Sequence, residues 1–291
     1  MNGLLKIDKE AGYASHDIDN LVKRTLDLPK VGHLGTLDPF ATGLLIVGVG
    51  DGTKILPFIP DDWKTYEATL QLFKTTDSLD LTGHLIATEP ARDIPIEEIR
   101  QALQTLGQLK EEVPPSVCAR HIDGERAYDL IRDGFTVVLP PSPIAIQELT
   151  LLDWNPKQQQ ITFKATVSKG TYLRALGRDL AKLLKTVGYL TALRRTAISS
   201  LDLSGAVKIK DLTPEHLLPL DALIPQIPKI EVRDRIFEKA YNGVDLPFDG
   251  QTAHILFLTH EKEPVALYKR NGKVYTCYRG FNHELSNRYP D

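Results

Sequence analysis

The stretch VGHLGTLDPFATGLLIVGVGDGTK, residues 31–54, constrains the fold of this chain more than any other. Gly32, Gly35 and Gly43 allow positive φ, or an approach that a Cβ would block. Asp38-Pro39 turns the chain and biases Asp38 away from helix. The apolar run Gly43–Val49 predicts a short strand buried on both faces. A carboxylate on a tight loop feeding a buried strand is rigidly held, which suits a nucleophile or base. An Asp that merely closes a turn is the plainer reading of the same residues. The end of the stretch, Gly48 to Lys54, imitates a nucleotide loop. It lacks the spacing of both G-x-x-x-x-G-K-[ST] and G-x-G-x-x-G, so it reads as a strand-to-helix turn.

A chain of 291 residues predicts one large domain with an appendage, or two domains. No apolar run approaches the ~20 residues of a bilayer span, so no membrane association is expected. The opening MNGLLKIDKE is charged within six residues, unlike a secretory leader. Cys118 and Cys277 match no metal or redox spacing, and the histidines form no HExxH or Cys/His cluster. The expectation is a reduced, cytoplasmic protein with no metal site. The net charge of −3 argues against indiscriminate nucleic-acid binding. A basic segment nonetheless holds Lys164, Lys169, Arg174, Arg178, Lys182, Lys185, Arg194, Arg195, Lys208 and Lys210, opposed there only by Asp179 and Asp202. It reads either as a nucleic-acid face or as solvated lysines.

Taken in order, Gly3–Asp8 predicts a strand. Ser15 is placed to cap a helix over His16–Leu26, with Ile18, Leu21, Val22 and Leu26 on its apolar stripe. Trp63–Phe73 alternates, with Tyr66, Ala68, Leu70 and Leu72 on one face. Pro95–Leu106 is a helix between an N-terminal Pro and Gly107. Glu125–Arg132 reads as helix and Phe135–Leu139 as strand, followed by a loop at Pro140, Pro141 and Pro143. Ile161–Val167 is a strand, leading to a helix that runs to Leu184 and is capped by Ser168 or Thr171. Beyond about Gln226, strands at Ile255–Leu258, Val265–Tyr268 and Val274–Tyr278 surround Asn271-Gly272, a strong hairpin signal.

The order Gly-His-x-Gly-x-Leu-Asp-Pro-x-Ala-x-Gly-x-Leu, from Gly32 to Leu45, resembles the TruB family of tRNA pseudouridine synthases. The family's opening pattern is kept at Gly3, Leu4 or Leu5, Asp8, Lys9, Gly12 and Ser15. It departs at Glu10, usually Pro, and Ala14, usually Thr. Thr75–Gly83 resembles the family's Thr-Asp-Thr-x-Asp-x-x-Gly, with Ser78 for a Thr; its acids lack the spacing and terminal Glu of a calcium loop. Pro115, Ser116, Gly124 and Tyr128 match a shortened family segment, with Arg120 in the basic position. Ser168–Arg174 is similar to the Ser/Lys-Gly-Thr-Tyr-x-Arg motif, and Ala192–Thr196 to a Leu-Arg-Arg segment.

That resemblance implies an α/β (α+β) fold: a catalytic core with a bent mixed, mostly antiparallel sheet flanked by helices, over residues 1–228. A small β-rich, PUA-like RNA-binding domain would follow over residues 229–291. It implies Asp38 as nucleophile, Arg174 as the cation paired with it, and Tyr66 stacked on the uracil and serving as base. His33 would fill the gap left by the flipped base. Tyr172 and Leu193 would line the pocket, with Lys9 and Lys169 on the substrate side. The substrate would be uridine 55 in the T-stem loop of tRNA, isomerised by a monomer without guide RNA or cofactor. The chemistry asks for a cation near the nucleophile, because burial alone silences a carboxylate. Two other readings stand beside this one. A glycosidase built on Asp38 needs a second carboxylate, and none stands near in sequence. A binding-only RNA protein or chaperone does not need Asp38, Tyr66 and Arg174 together.

Overall fold

Alternation in the sequence becomes a sheet whose most buried strand runs straight out of the Asp-Pro loop. The computed structural model describes residues 1–115, 121–122, 125–126, 139–248 and 250–281. In chain order it has β1 (Gly3–Lys9), α1 (Ser15–Thr25), β2 (Val31–Leu34), β3 (Thr42–Val49), β4 (Trp63–Leu72), β5 (Lys74–Thr76), β6 (Leu85–Thr88) and α2 (Ile96–Leu106). Four two-residue strands follow: β7 (Glu111–Glu112), β8 (His121–Ile122), β9 (Glu125–Arg126) and β10 (Ser142–Pro143). Then come β11 (Ile146–Asn155), β12 (Gln160–Ser168), α3 (Leu173–Leu183), β13 (Gly188–Ile198) and β14 (Leu201–Asp202). The C-terminal part holds β15 (Lys229–Glu231), α4 (Asp234–Tyr241), β16 (Ile255–His260), β17 (Glu263–Asn271) and β18 (Val274–Gly280).

The main sheet has eight strands in the order β1-β3-β13-β4-β12-β11, with β2 joined to β3 and β14 to β13. Only the β13–β3 pairing is parallel, through Arg194↔Thr42 and Arg195↔Gly43. The sheet is therefore mixed and mostly antiparallel, as expected. β1 covers one edge of β3 from Val49 to Gly43. The other edge is shared: β2 takes Ile46 to Val49 and β13 takes Thr42 and Gly43. Residues 35–41 loop out between them.

β3 is buried on both faces, as its apolar run predicts. Leu45, Val47 and Val49 pack with Ile18 and Val22 of α1. Leu44 and Ile46 lie in a second cluster with Ile198, Leu220, Ile224, and Phe257, Leu267 and Phe281 of the C-terminal part. The largest core sets β4, β12 and β13 against α2 and α3, joining Leu70, Phe163, Leu103, Leu176 and Leu190. Each such side chain is worth about 1.5–3 kcal/mol when fully buried. The C-terminal β domain is a four-stranded sheet, β15-β16-β17-β18, with its own core of Leu256, Leu258, Tyr268, Tyr275 and Cys277. The predicted hairpin forms with its turn one residue on, at Gly272-Lys273: Asn271 ends β17 opposite Val274, and Gly272 takes φ +63.

The local differences have physical causes. Ser15 lies inside α1 rather than capping it. Its hydroxyl is engaged by Leu37, and the N-cap position is Ala14, whose amide donates to the Asp17 carboxylate at 2.8 Å. Neither Ser168 nor Thr171 caps α3: the N-cap is Tyr172, and its amide donates to Glu112 Oε1 at 2.7 Å. Glu125–Arg126 pairs with His121–Ile122 as strand, against the helix read there. The rest of that span, residues 135–138 of the strand read at Phe135–Leu139, and Ser116, Cys118, Arg120, Gly124 and Tyr128 lie outside the described residues, and Leu139 is not in a strand.

Candidate active site

The loop at residues 35–41 is tied by its main chain to β1, α1 and β13. Arg195, on β13, donates from Nη2 to Gly35 O at 2.8 Å, from Nη1 to Thr36 O at 3.5 Å and from Nε to Leu44 O at 2.8 Å. Ser15 Oγ accepts from Leu37 N at 2.8 Å and donates to Leu37 O at 3.1 Å. Pro39 O accepts from Gly12 N at 2.8 Å, and Asp38 O from Ala41 N at 3.0 Å. Lys9 Nζ closes the far end, donating to Ala41 O at 2.6 Å and Pro39 O at 3.3 Å. Leu37 and Phe40 anchor the loop in the largest core. Gly43 sits at φ +102, and a Cβ there would fall on the carbonyl of Arg195. Only glycine lets β3 and β13 approach this closely.

Held this way, Asp38 presents its side chain at the rim, 34% exposed, while its partner Arg174 is 6% exposed. Arg174 Nε donates to Asp38 Oδ2 at 3.0 Å and Nη2 to Oδ1 at 3.2 Å, a bidentate pair across 136 positions of sequence. The fork geometry gives this pair both strength and direction. The remaining nitrogen, Nη1, donates to Ser78 O at 2.9 Å and lies 3.5 Å from Asp80 Oδ2. Asp80 is itself fixed, its Oδ1 accepting from Thr82 N at 2.9 Å, from the Thr82 hydroxyl, and from Ser78 Oγ at 2.8 Å. The loop at 75–83 thus holds the cation from behind while Asp38 faces outward.

Tyr66, on β4, stands opposite Arg195 of β13 and is 7% exposed. Burial pushes its phenol above the usual tyrosine range, and Arg195 beside it works in the other direction. Leu193, also buried, shares its cluster with Tyr66, Leu37, Phe40 and Leu173. Tyr172 directly precedes α3 and lies half-buried. Burial is also the main cause lowering Lys9 to about 8, with the Asp38 charge opposing it. Lys9 is fully buried, so it acts on the loop rather than standing at the surface. Lys169, by contrast, is 65% exposed and 2.9 Å from Asp61 Oδ2. His33, on β2, donates from Nδ1 to Asp19 Oδ2 at 2.7 Å, with Nε2 3.3 Å from Thr36 Oγ1.

Asp38, Arg174, Tyr66 and Leu193 therefore converge, with Tyr172 beside Arg174 in the chain. Sequence reasoning did not single out Asp80, Arg195, Asp19 or Glu112. The first two stood inside segments that were read: Asp80 in the Thr75–Gly83 loop and Arg195 in Leu-Arg-Arg. The basic segment is largely neutralised in the fold. Lys164 pairs with Glu148, Arg178 and Lys182 with Asp179, Arg194 with Asp8, and Lys208 with Glu10.

The same fold occurs in known structures. One titled as a Cbf5-Nop10-Gar1 complex aligns with a TM-score of 0.69 at 20% identity, covering 97% of this chain and 85% of that one. Another, of an H/ACA RNP bound to a substrate RNA containing 2'-deoxyuridine, gives 0.68 at 20% identity, covering 99% and 87%. The architecture is that of a pseudouridine synthase core with a C-terminal β domain. The model of the TruB family pseudouridylate synthase N-terminal domain matches residues 23–173. The tRNA pseudouridine synthase B of Parasynechococcus marenigrum (strain WH8102) is 42% identical over 235 residues, 80% of each protein. That of Mycobacterium tuberculosis (strain ATCC 25618 / H37Rv) is 38% identical over 253 residues, 85% of each. The chain belongs to the TruB family of pseudouridylate synthases and is an isomerase. Among the described residues no helix is long and apolar enough to cross a membrane.

Proposed function

We propose that this chain converts uridine 55 in the T-stem loop of tRNA to pseudouridine, as a cytoplasmic monomer without a guide RNA. The names of its relatives support tRNA as the substrate. The observation that carries the assignment of the site is the bidentate contact of Arg174 with a rim-exposed Asp38. The reaction breaks the uracil N1–ribose C1′ bond and rejoins the ring through C5, so the product is an isomer and no redox partner or group donor is consumed.

The target base leaves its stack to reach Asp38 and enters between Tyr66 and the apolar side chains of Leu193, Leu37 and Phe40. Asp38 attacks the ribose or the ring as nucleophile, and the two hydrogen bonds from Arg174 aim it. Tyr66 stacks on the uracil. To serve as base its phenol first gives up its own proton to solvent; the Arg195 cation beside it favours the phenolate against burial, and the phenolate then accepts the C5 proton and returns to the phenol. Tyr172 closes the pocket. His33 occupies the gap left in the RNA, Lys169 meets a phosphate, and Lys9 acts on RNA binding through the loop it ties down. Residues 1–228 form the catalytic domain and residues 229–291 a PUA-like RNA-binding domain.

T-arm RNA carrying tritium at uracil C5, incubated with the protein alone, tests this reading. Release of tritium with a product of unchanged mass supports it. Asp38→Asn is expected to bind the RNA and release nothing; release by that variant removes Asp38 from the chemistry.

A further inference from the structure

α1 braces the Asp-Pro motif at two points on one face. Ser15 exchanges two hydrogen bonds with Leu37. Asp19, four residues on and so on the same side of the helix, accepts the Nδ1–H of His33 at 2.7 Å. Asp19 is 9% exposed, and its Oδ1 has no hydrogen-bond partner among the described residues. The helix face around it is apolar, with Ile18 and Val22 buried on either side. A carboxylate at such a place, where an aliphatic side chain would pack without an unpaired oxygen, calls for a task. Its one observed partner is His33.

The contact acts on the ring in a definite way. A carboxylate only accepts, so Nδ1 keeps its hydrogen whether the imidazole is neutral or charged. The ring is held in place by α1, and Nε2 is left on the side of Thr36 Oγ1 at 3.3 Å. Thr36 is exposed and its hydroxyl rotates, so Nε2 passes to an incoming group without moving the ring. We propose that Asp19 is the positioning residue of His33, fixing its orientation and tautomer before RNA arrives. This rests on the reading of His33 as the side chain that enters the RNA.

The test compares the full chain with His33→Ala, Asp19→Ala, Asp19→Asn and the His33→Ala/Asp19→Ala double variant. It measures T-arm RNA affinity, the single-turnover rate at saturation, and the His33 tautomer by nitrogen NMR. Asp19→Ala should weaken binding about 5-fold, the effect expected when binding has to immobilise one more side chain. The saturating rate should stay within about twofold, since no group touching the reacting atoms changes. The double variant should bind no worse than His33→Ala, because the two residues act as one unit. Asp19→Asn should restore binding, its amide oxygen accepting the same Nδ1–H, and should keep the Nδ1–H tautomer that Asp19→Ala loses. Losses that add in the double variant, failure of Asp19→Asn to rescue, or an unchanged tautomer in Asp19→Ala would each overturn the role of Asp19 while leaving His33 in place. Unchanged binding by His33→Ala overturns the reading of His33 itself, and the positioning role with it.

Discussion

Replacing Arg195 with methionine isolates what a buried arginine does beneath the candidate nucleophile. The residue is 0% exposed, and its fork spans Gly35 O and Leu44 O, each at 2.8 Å. Methionine keeps much of the apolar stem but satisfies neither carbonyl. A buried acceptor left without a donor costs about 1–3 kcal/mol, and relief from burying a cation offsets part of the total for two. The net loss is about 2–4 kcal/mol. At ~2.1 cal/mol/K per residue this lowers Tm by about 3–7 °C for a chain of this length. The loop that aims Asp38 loses its tie at Gly35, and a displacement of ~1 Å at a reacting group costs about 100-fold in rate. Urea unfolding and tritium release from T-arm RNA read the two effects. Lys9 supplies a third, because Arg195 helps hold its ammonium down; its pKa should rise from about 8 when the cation goes. Arg195→Lys keeps the charge but lacks the planar fork that sets Nε on Leu44 O and Nη2 on Gly35 O, so it should lose rate as well. Stability within 1 kcal/mol of the parent together with an unchanged rate in Arg195→Met would refute the argument. Full rate in Arg195→Lys would show that charge matters here and the fork does not.

Asp80→Asn removes the charge behind Arg174 while leaving Asp38 in place. Turnover should fall about 10–100-fold with RNA affinity unchanged, and equal losses in both would place Asp80 in binding instead. Gly43→Ala forces a left-handed backbone at φ +102 and a Cβ onto the Arg195 carbonyl. A loss of about 3 kcal/mol or more in unfolding free energy is expected, and a neutral result would mean that β3 and β13 can part. Burial pushes the Cys277 thiol up to about 11 from 9.0. The folded form therefore keeps its proton while the unfolded chain releases one. Stability from this group is present below pH 9 and lost as pH rises to 11. The gap corresponds to up to about 2–3 kcal/mol, so the stability of Cys277→Ala relative to the parent should improve over that window. A constant difference between the two across it would contradict the assignment.

Much of this molecule is legible in its residues, and the illegible parts share a cause. The loop at 35–41, the doubly buried β3, the alternation of β4 and β12 and the hairpin marked by Asn271-Gly272 depend on local pattern, and local pattern revealed them. The partnership of Asp38 with Arg174 depended on recognising two motifs far apart. β13 hid because Arg194 and Arg195 look like surface residues. Arg195 is interior only because the main chain of a distant loop offers it carbonyls. The charged run from 164 to 210 read equally as a nucleic-acid face or as solvated lysines. Its partners, Asp8, Glu10, Asp61 and Glu148, come from elsewhere in the chain. Ser15 suited a cap by type, yet Leu37 takes its hydroxyl.

The two-sided burial of β3 bears on how this enzyme can be cut down. One wall of that strand, Leu44 and Ile46, is completed by Phe257, Leu267 and Phe281. Lys54, just beyond its end, donates to Gly280 O at 2.8 Å. A truncation at residue 228 would not yield a minimal catalyst. It would lay bare the back of the strand that springs from the Asp38 loop, turning a working enzyme into a sticky fragment. The C-terminal sheet is thus a wall behind the Asp38 loop, and removing it uncovers Leu44 and Ile46.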